Sequence, residues 1–219
     1  MTRIADGLTD PLPPEVRPGK GPVRVLCIGG STRPGSSSET ALRIAAASAE
    51  RAGAQVQLIT GRELMLPIYD TESPVRTPEA ARLLTAICRA EALIVSSPGY
   101  HGTMSGMMKN VLDYVEDLRS NERTYLDGVA VGCIAVAYGW QASVSTLHNL
   151  RVAVHALRGW PTPLGATINA SDKPFTEDGT SCCDESVQFQ VDTVGAQVVE
   201  FAKMRRSAAA TIAQVSDAD

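Results

Sequence analysis

Apolar positions along the chain follow two alternating rhythms: short unbroken runs, and longer stretches that carry a single apolar stripe. The first run, VRVLCIGG at residues 23–30, ends in two glycines and has the pattern of a parallel strand buried on both faces. AQVQLIT at 54–60, ALIVSSP at 92–98 and VAVGCIAVAYG at 129–139 predict the second, third and fourth strands, and TPLGATIN at 162–169 the fifth. The stretches between them read as helices. Residues 40–53 are alanine-rich, with Leu42, Ile44, Ala45 and Ala49 in one stripe and Gly53 as a stop. Met107, Met108, Val111, Leu112 and Val115 recur at helical spacing across 105–117. Further helices are predicted over about 78–89, over 143–159 and over 186–207. Residues 63–70 read as an extended loop because Pro67 bars a regular central strand, and residues 170–180 as a polar loop. Five strands alternating with helices imply right-handed crossovers and a doubly wound parallel α/β sheet. Ligands of such sheets bind beyond the carboxyl ends of the strands, which places function in the turns after strands one, three and four.

Composition narrows the reading. The 219 residues suit one domain, here 23–207. Residues 1–22 hold Pro11, Pro13, Pro14, Pro18 and Pro22 and are expected as an extended arm able to dock on a partner subunit, and 208–219 as a flexible tail. PGKGP at 18–22 precedes its strand instead of following it, so it reads as linker and not as a phosphate loop. A net charge of −4 without a basic stripe, and 5% aromatic content, argue against nucleic acid. No apolar stretch approaches the roughly 20 residues of a membrane helix, and the N-terminus lacks a hydrophobic leader, so a cytoplasmic address is expected. Of the five cysteines, Cys27, Cys88 and Cys133 fall in apolar runs as small hydrophobes, while adjacent Cys182 and Cys183 lack metal-ligand spacing. His148 and His155 lie seven apart on one predicted helix. With no Asp, Glu or Cys to complete a metal set, they are read as helix packing.

Three loops carry unusual chemistry. After the first strand, GGSTRPGSSSET runs straight into a helix, gathering hydroxyls, a guanidinium and the free amides of a first helical turn, which suits a phosphate monoester. Plain helix capping uses the same donors, and both readings stand at this point. The dinucleotide fingerprint GxGxxG is absent, which disfavours a nicotinamide-binding Rossmann domain. After the third strand, Pro98, Gly99, Tyr100, His101 and Gly102 combine close backbone approach with a π surface and a polar edge, as a planar heterocycle requires. After the fourth, Tyr138-Gly139-Trp140-Gln141 adds an aromatic pair and an amide at the same sheet edge.

These segments, GGSTRPGSSSETALR, LMLPIYD, SPGYHGTMSGMMKNVLDYVEDL and AYGWQASVSTLHNLRVAVHALRGW, together resemble the NAD(P)H-dependent FMN reductase family over about residues 23–200. The resemblance implies a flavodoxin-like fold with strand order 2-1-3-4-5 and noncovalent FMN. It places the FMN phosphate on Ser31, Arg33, Ser36, Ser37, Ser38 and Thr40, and the ring along Pro98, Gly99, Tyr100, His101 and Gly102 with Gly139, Trp140 and Gln141 beside it. It further implies hydride transfer from NADPH or NADH to flavin N5, passage of electrons to a small acceptor such as a flavin or quinone, and a homodimer or homotetramer. The apolar face of the 105–117 helix is one candidate for the subunit contact, and His101 a candidate for proton delivery. Many members carry Glu where Gly99 stands, and Asn where His101 or Ser38 stands. Gly99 accordingly opens a second reading, an FMN-dependent dehydrogenase of a small cyclic biosynthetic intermediate such as an aminated chorismate-type ring. A third reading is a flavodoxin-type electron carrier, against which Arg33 and the modest net charge both speak.

Overall fold

The computed structural model describes residues 21–216, so nearly all of the expected N-terminal arm lies outside the described residues. A central parallel sheet is built from β1 (Val23–Gly29), β2 (Ala54–Ile59), β3 (Ala92–Tyr100) and β5 (Ala130–Ala137). Its fifth position is shared by β6 (Trp160–Pro161), paired with the start of β5, and β7 (Ala166–Asn169), paired with its end. The order is therefore 2-1-3-4-5 by position, as expected, but the fifth strand is split. Pro161 and Pro163, which carry no N–H, stand at the break. Nearby edge amides are met by α5 (Glu185–Ser216): Leu164 N donates to Gln197 Oε1 and Thr167 N to Gln190 Oε1, each at 3.1 Å. The two-residue β4 (Thr103–Met104) folds back antiparallel on the end of β3.

Strand alternation divides the core between the two faces. Val25 and Cys27 of β1 pack with α5 and α1 (Ser37–Arg51), whereas Leu26 and Ile28 pack with α2 (Pro78–Arg89) and α3 (Gly106–Asp113). The second face also takes Leu150 and Val154 of α4 (Trp140–Ala156). Cys27, Cys88 and Cys133 are buried in these layers, and burial pushes the Cys27 and Cys133 thiols up to about 12, so they act as packing groups.

Several boundaries differ from expectation for identifiable reasons. Ser36 caps α1, which therefore begins three residues early. The 105–117 helix is α only to Asp113 and tightens into a 3-10 turn over Tyr114–Leu118. Its apolar face is not a subunit contact surface, because Met108, Val111 and Leu112 are buried in the chain's own core. α4 begins at Trp140, which puts Trp140 and Gln141 on a first helical turn and not in a loop. His148 and His155 are exposed on α4, so neither serves as core packing. α5 continues to Ser216 through most of the expected tail.

Candidate active site

The loop after β1 is fixed from beneath. Gly30 N donates to Ser96 O at 2.7 Å, and Ser105, the N-cap of α3, donates from Oγ to Gly30 O at 2.7 Å while accepting from Met108 N. Ser97 Oγ accepts from Ser105 N at 2.9 Å, so one serine ties the first loop to the second. A Cβ at Gly30 would lie 2.9 Å from Met108 Cβ, and only glycine lets α3 come this close.

On this base the serines converge. Ser36 Oγ accepts from Glu39 N and sits 3.1 Å from Ser38 Oγ, and Ser38 O accepts from Ser96 Oγ at 2.8 Å. Ser37 and Ser38 open α1, so their amides have no intrahelical acceptor and form part of the positive end of the helix dipole. Glu39 is occupied by Arg43 and by Gly35 N, and Arg33 stands exposed at the rim. Thr40 is buried on α1, where Gly179 of the loop between β7 and α5 lies against it. In that loop hydrogen bonds from Thr176 and Thr180 hold the Asp178 carboxyl below its usual range.

The second wall is the end of β3. Tyr100 pairs with Thr103 across a two-residue turn in which His101 (φ +52°) and Gly102 (φ +85°) both take the left-handed conformation of a type I′ hairpin. That geometry carries the exposed His101 to the hairpin tip, outside the lining of the cleft described below. Gly99 is also differently employed. Its missing side chain faces inward, where a Cβ would lie 2.5 Å from Thr146 Oγ1 and 3.0 Å from Ala137 Cβ. It opens no space over a ring, which removes the ground for the cyclic-intermediate reading. Behind β5, Gly139 N donates to Asn169 Oδ1 at 2.8 Å, tying the start of α4 to β7.

Between these walls lies a cleft of about 190 Å³. Of the expected residues, Ser31, Arg33, Ser36, Ser37, Ser38, Pro98, Gly99 and Tyr100 line it. Thr40, His101, Gly102, Gly139, Trp140 and Gln141 are not among its lining. Val136, Ala137, Tyr138 and Ala170 line it in addition. Tyr138 was visible as an aromatic after the fourth strand, whereas Ala170 enters only because β7 lies beside β5. One end of the cleft thus offers hydroxyls, open amides and a cation, and the other a backbone wall with Tyr100 and Tyr138. The donor end fits a phosphate monoester and the walled end a flat ring.

Residues 23–172 match the sequence model of the family described as NADPH-dependent FMN reductase. The chain is 33% identical over 105 residues to the FMN-dependent NADPH-azoreductase of Staphylococcus haemolyticus, covering 48% of this chain and 52% of that protein. It is 31% identical over 115 residues to the NADPH azoreductase of Bacillus sp. strain OY1-2, covering 52% and 56%. It thus spans about half the length of the curated relatives it matches. Among solved structures, the flavoenzyme NAD(P)H:(acceptor) oxidoreductase FerB from Paracoccus denitrificans superposes with a TM-score of 0.65 at 18% identity, over 83% of this chain and 98% of that one. An archaeal flavodoxin superposes with a TM-score of 0.55 at 12% identity, over 83% and 99%. At these identities the structural matches speak for a shared fold.

Proposed function

The chain belongs to the NADPH-dependent FMN reductase family, and from that premise we propose that it holds FMN noncovalently and passes reducing equivalents from NADPH or NADH to a second small-molecule acceptor. The observation that carries this reading is the joining, in one cleft, of an anion-binding helix start and a flat backbone-and-tyrosine wall. FMN bound there would supply the redox chemistry, taking up hydride and releasing electrons to the acceptor.

The chain's own residues would bind and orient. The amides of Ser37 and Ser38 and the hydroxyls of Ser31, Ser36 and Ser38 would hold the phosphate, with Arg33 adding charge from the rim. Pro98, Gly99 and Tyr100 would support the ring, and Tyr138 would cover it from β5. No protein acid or base is assigned, because His101 stands at the hairpin tip.

The chain is expected to work in the cytoplasm as a homodimer or homotetramer. Among the described residues no helix is long and apolar enough to cross a membrane. Trp140, Val144, His148, Val152 and Ala156 form an exposed stripe at four-residue spacing along α4, a ridge suited to helix packing against a second copy. Sedimentation of Val144→Glu/Val152→Glu should then give the monomer where the unaltered chain gives the oligomer, and a monomeric unaltered chain would remove this assignment.

The function is tested by adding FMN, desalting, recording the absorption spectrum and titrating anaerobically with NADPH and with NADH. Retained flavin absorbance that bleaches with a nicotinamide is the expected result. Retained flavin that refuses both donors would overturn the reductase reading in favour of an electron carrier.

A further inference from the structure

A groove of about 370 Å³ lies at the opposite end of β5 from the cleft, lined by Ala130, by Trp160, Pro161 and Pro163 of the sheet edge, and by Phe201 and Met204 of α5. The Trp160 and Phe201 rings are 4.9 Å apart at 51°, and Trp160 and Met204 remain 55% and 56% exposed. Two aromatic rings and a methionine make the surface of this open groove largely apolar, with Thr162, Gln197 and Glu200 as its polar lining.

The adjoining backbone restricts what can lie there. Trp160 N donates to Val129 O and Thr162 N to Val131 O, so the amides that point away from the sheet belong to positions 161 and 163. Both are proline and have no N–H to offer. A guest therefore gains nothing at these positions by pairing as a strand. A polyproline II segment suits the groove, since it needs no ladder of hydrogen bonds and its prolines pack on aromatic rings.

The sequence carries a proline-rich run, Pro11-Leu12-Pro13-Pro14, seven residues before Gly21, and Gly21 lies at this end of the fold. Arg206 holds Gly21 O at 2.6 Å and Pro22 O at 3.1 Å, only two residues beyond Met204 on α5. From β1 to β6 is three strand spacings, about 14 Å, and the seven residues from Pro14 to Gly21 span about 22 Å as polyproline II. Arg205 lies between the anchor and the groove, its guanidinium on Gly128, with no hydrogen bond or ion pair among the described residues. Glu15 directly follows Pro14. We propose that residues 11–14 dock in the Trp160, Phe201 and Met204 groove, with Glu15 paired to Arg205.

The test uses the full chain carrying Trp140→Phe, which leaves Trp160 as the only one of its two tryptophans. Adding Leu12→Ser, Pro13→Ser and Pro14→Ser should shift its emission to longer wavelength and raise acrylamide quenching about twofold, as for an indole that loses its cover. A synthetic peptide DPLPPEVR should reverse both changes. Glu15→Lys should raise quenching and Glu15→Lys/Arg205→Glu restore it, a charge exchange that leaves the groove itself untouched. Unchanged emission in the serine variant overturns the proposal. So does an emission that follows protein concentration in the chain with its arm intact, because a second copy would then be the occupant.

Discussion

Gly99 carries two demands: it lines the cleft, and it lets α4 approach β3 so closely that Thr146 is wholly buried. Thr146 Oγ1 is also the one buried side-chain polar atom without a hydrogen-bond partner among the described residues. Gly99→Ala should therefore destabilise the fold by about 1–3 kcal/mol through overpacking and weaken FMN retention together with it. Combining it with Thr146→Ala should recover part of both, a coupling readable in a double-mutant cycle by thermal melts and flavin titration. Arg33 lies at the other extreme, exposed and without a packing role. Arg33→Ala should leave the melting temperature unchanged and weaken FMN binding roughly tenfold or more, by loss of about 1.5–3 kcal/mol of charge-assisted hydrogen bonding. Equal affinity in both proteins would remove Arg33 from the phosphate site. The serines and the Pro98-Gly99-Tyr100 run were legible in the sequence because residue type and position after a strand suffice to bring them to one edge. The direction His101 takes was not legible, because it depends on the sign of φ in a two-residue turn, which residue identity only biases. Gly99 was misread because a sequence shows that a side chain is missing but not what fills its place.

Elements position these residues through their ends. Ser105 caps α3, receives support from Ser97 and holds the Gly30 carbonyl, so the first and second loops move together. Ser105→Ala should cost about 1–2 kcal/mol as a lost cap, with weaker flavin retention although Ser105 does not line the cleft. Chemical denaturation and a flavin titration on the same variant would check both effects. The loop after β2 is held in a similar way. Asn110 accepts from Tyr69 N and donates to Pro67 O, while Arg76 reaches both carboxylate oxygens of Asp117, at 2.6 and 2.9 Å. Tyr69 Oη donates to the same carboxylate, and burial together with that carboxylate raises the phenol's pKa. The apolar rhythm located the five α-helices and the five parallel sheet positions, but not the hairpin strand β4 or the 3-10 turns at 61–64 and 170–172. It missed the early start of α4, because that helix is apolar on both its buried and its exposed stripe and offers no change of pattern at its first turn. It also missed the split of the fifth strand, where two prolines interrupt a run that still reads as strand on either side.

At the scale of the molecule, Glu91 joins β1, the start of β3 and α5. Its carboxylate accepts from Arg206 at 2.6 and 2.7 Å and from Arg24 N at 3.1 Å. Burial alone would raise its pKa, but these hydrogen bonds and the two guanidinium charges outweigh burial and hold it below the ordinary 4.5. A depressed carboxylate contributes stability that is complete above its unfolded-state pKa and fades as pH falls through the folded value. Glu91→Gln should lower stability by about 1–3 kcal/mol at neutral pH, as for lost hydrogen bonds to charged groups, with a shallower decline than the unaltered chain as pH falls below about 4.5. Denaturation midpoints measured from pH 7 to pH 3 would show it, and parallel curves would mean that Glu91 does not drive the acid response.

The split edge has a consequence for how copies of this chain can meet. Strand-by-strand growth, the route by which exposed sheets aggregate, needs a row of free amides on the last strand. Here two outward positions are proline, and Gln190 and Gln197, one above the other on α5, occupy the amides of Thr167 and Leu164. Replacing the two glutamines would uncover two donors beside an apolar groove and make this border adhesive. As built, this border is closed to a further strand, and any association of copies on this side is left to the helical faces, where it can end at a defined number.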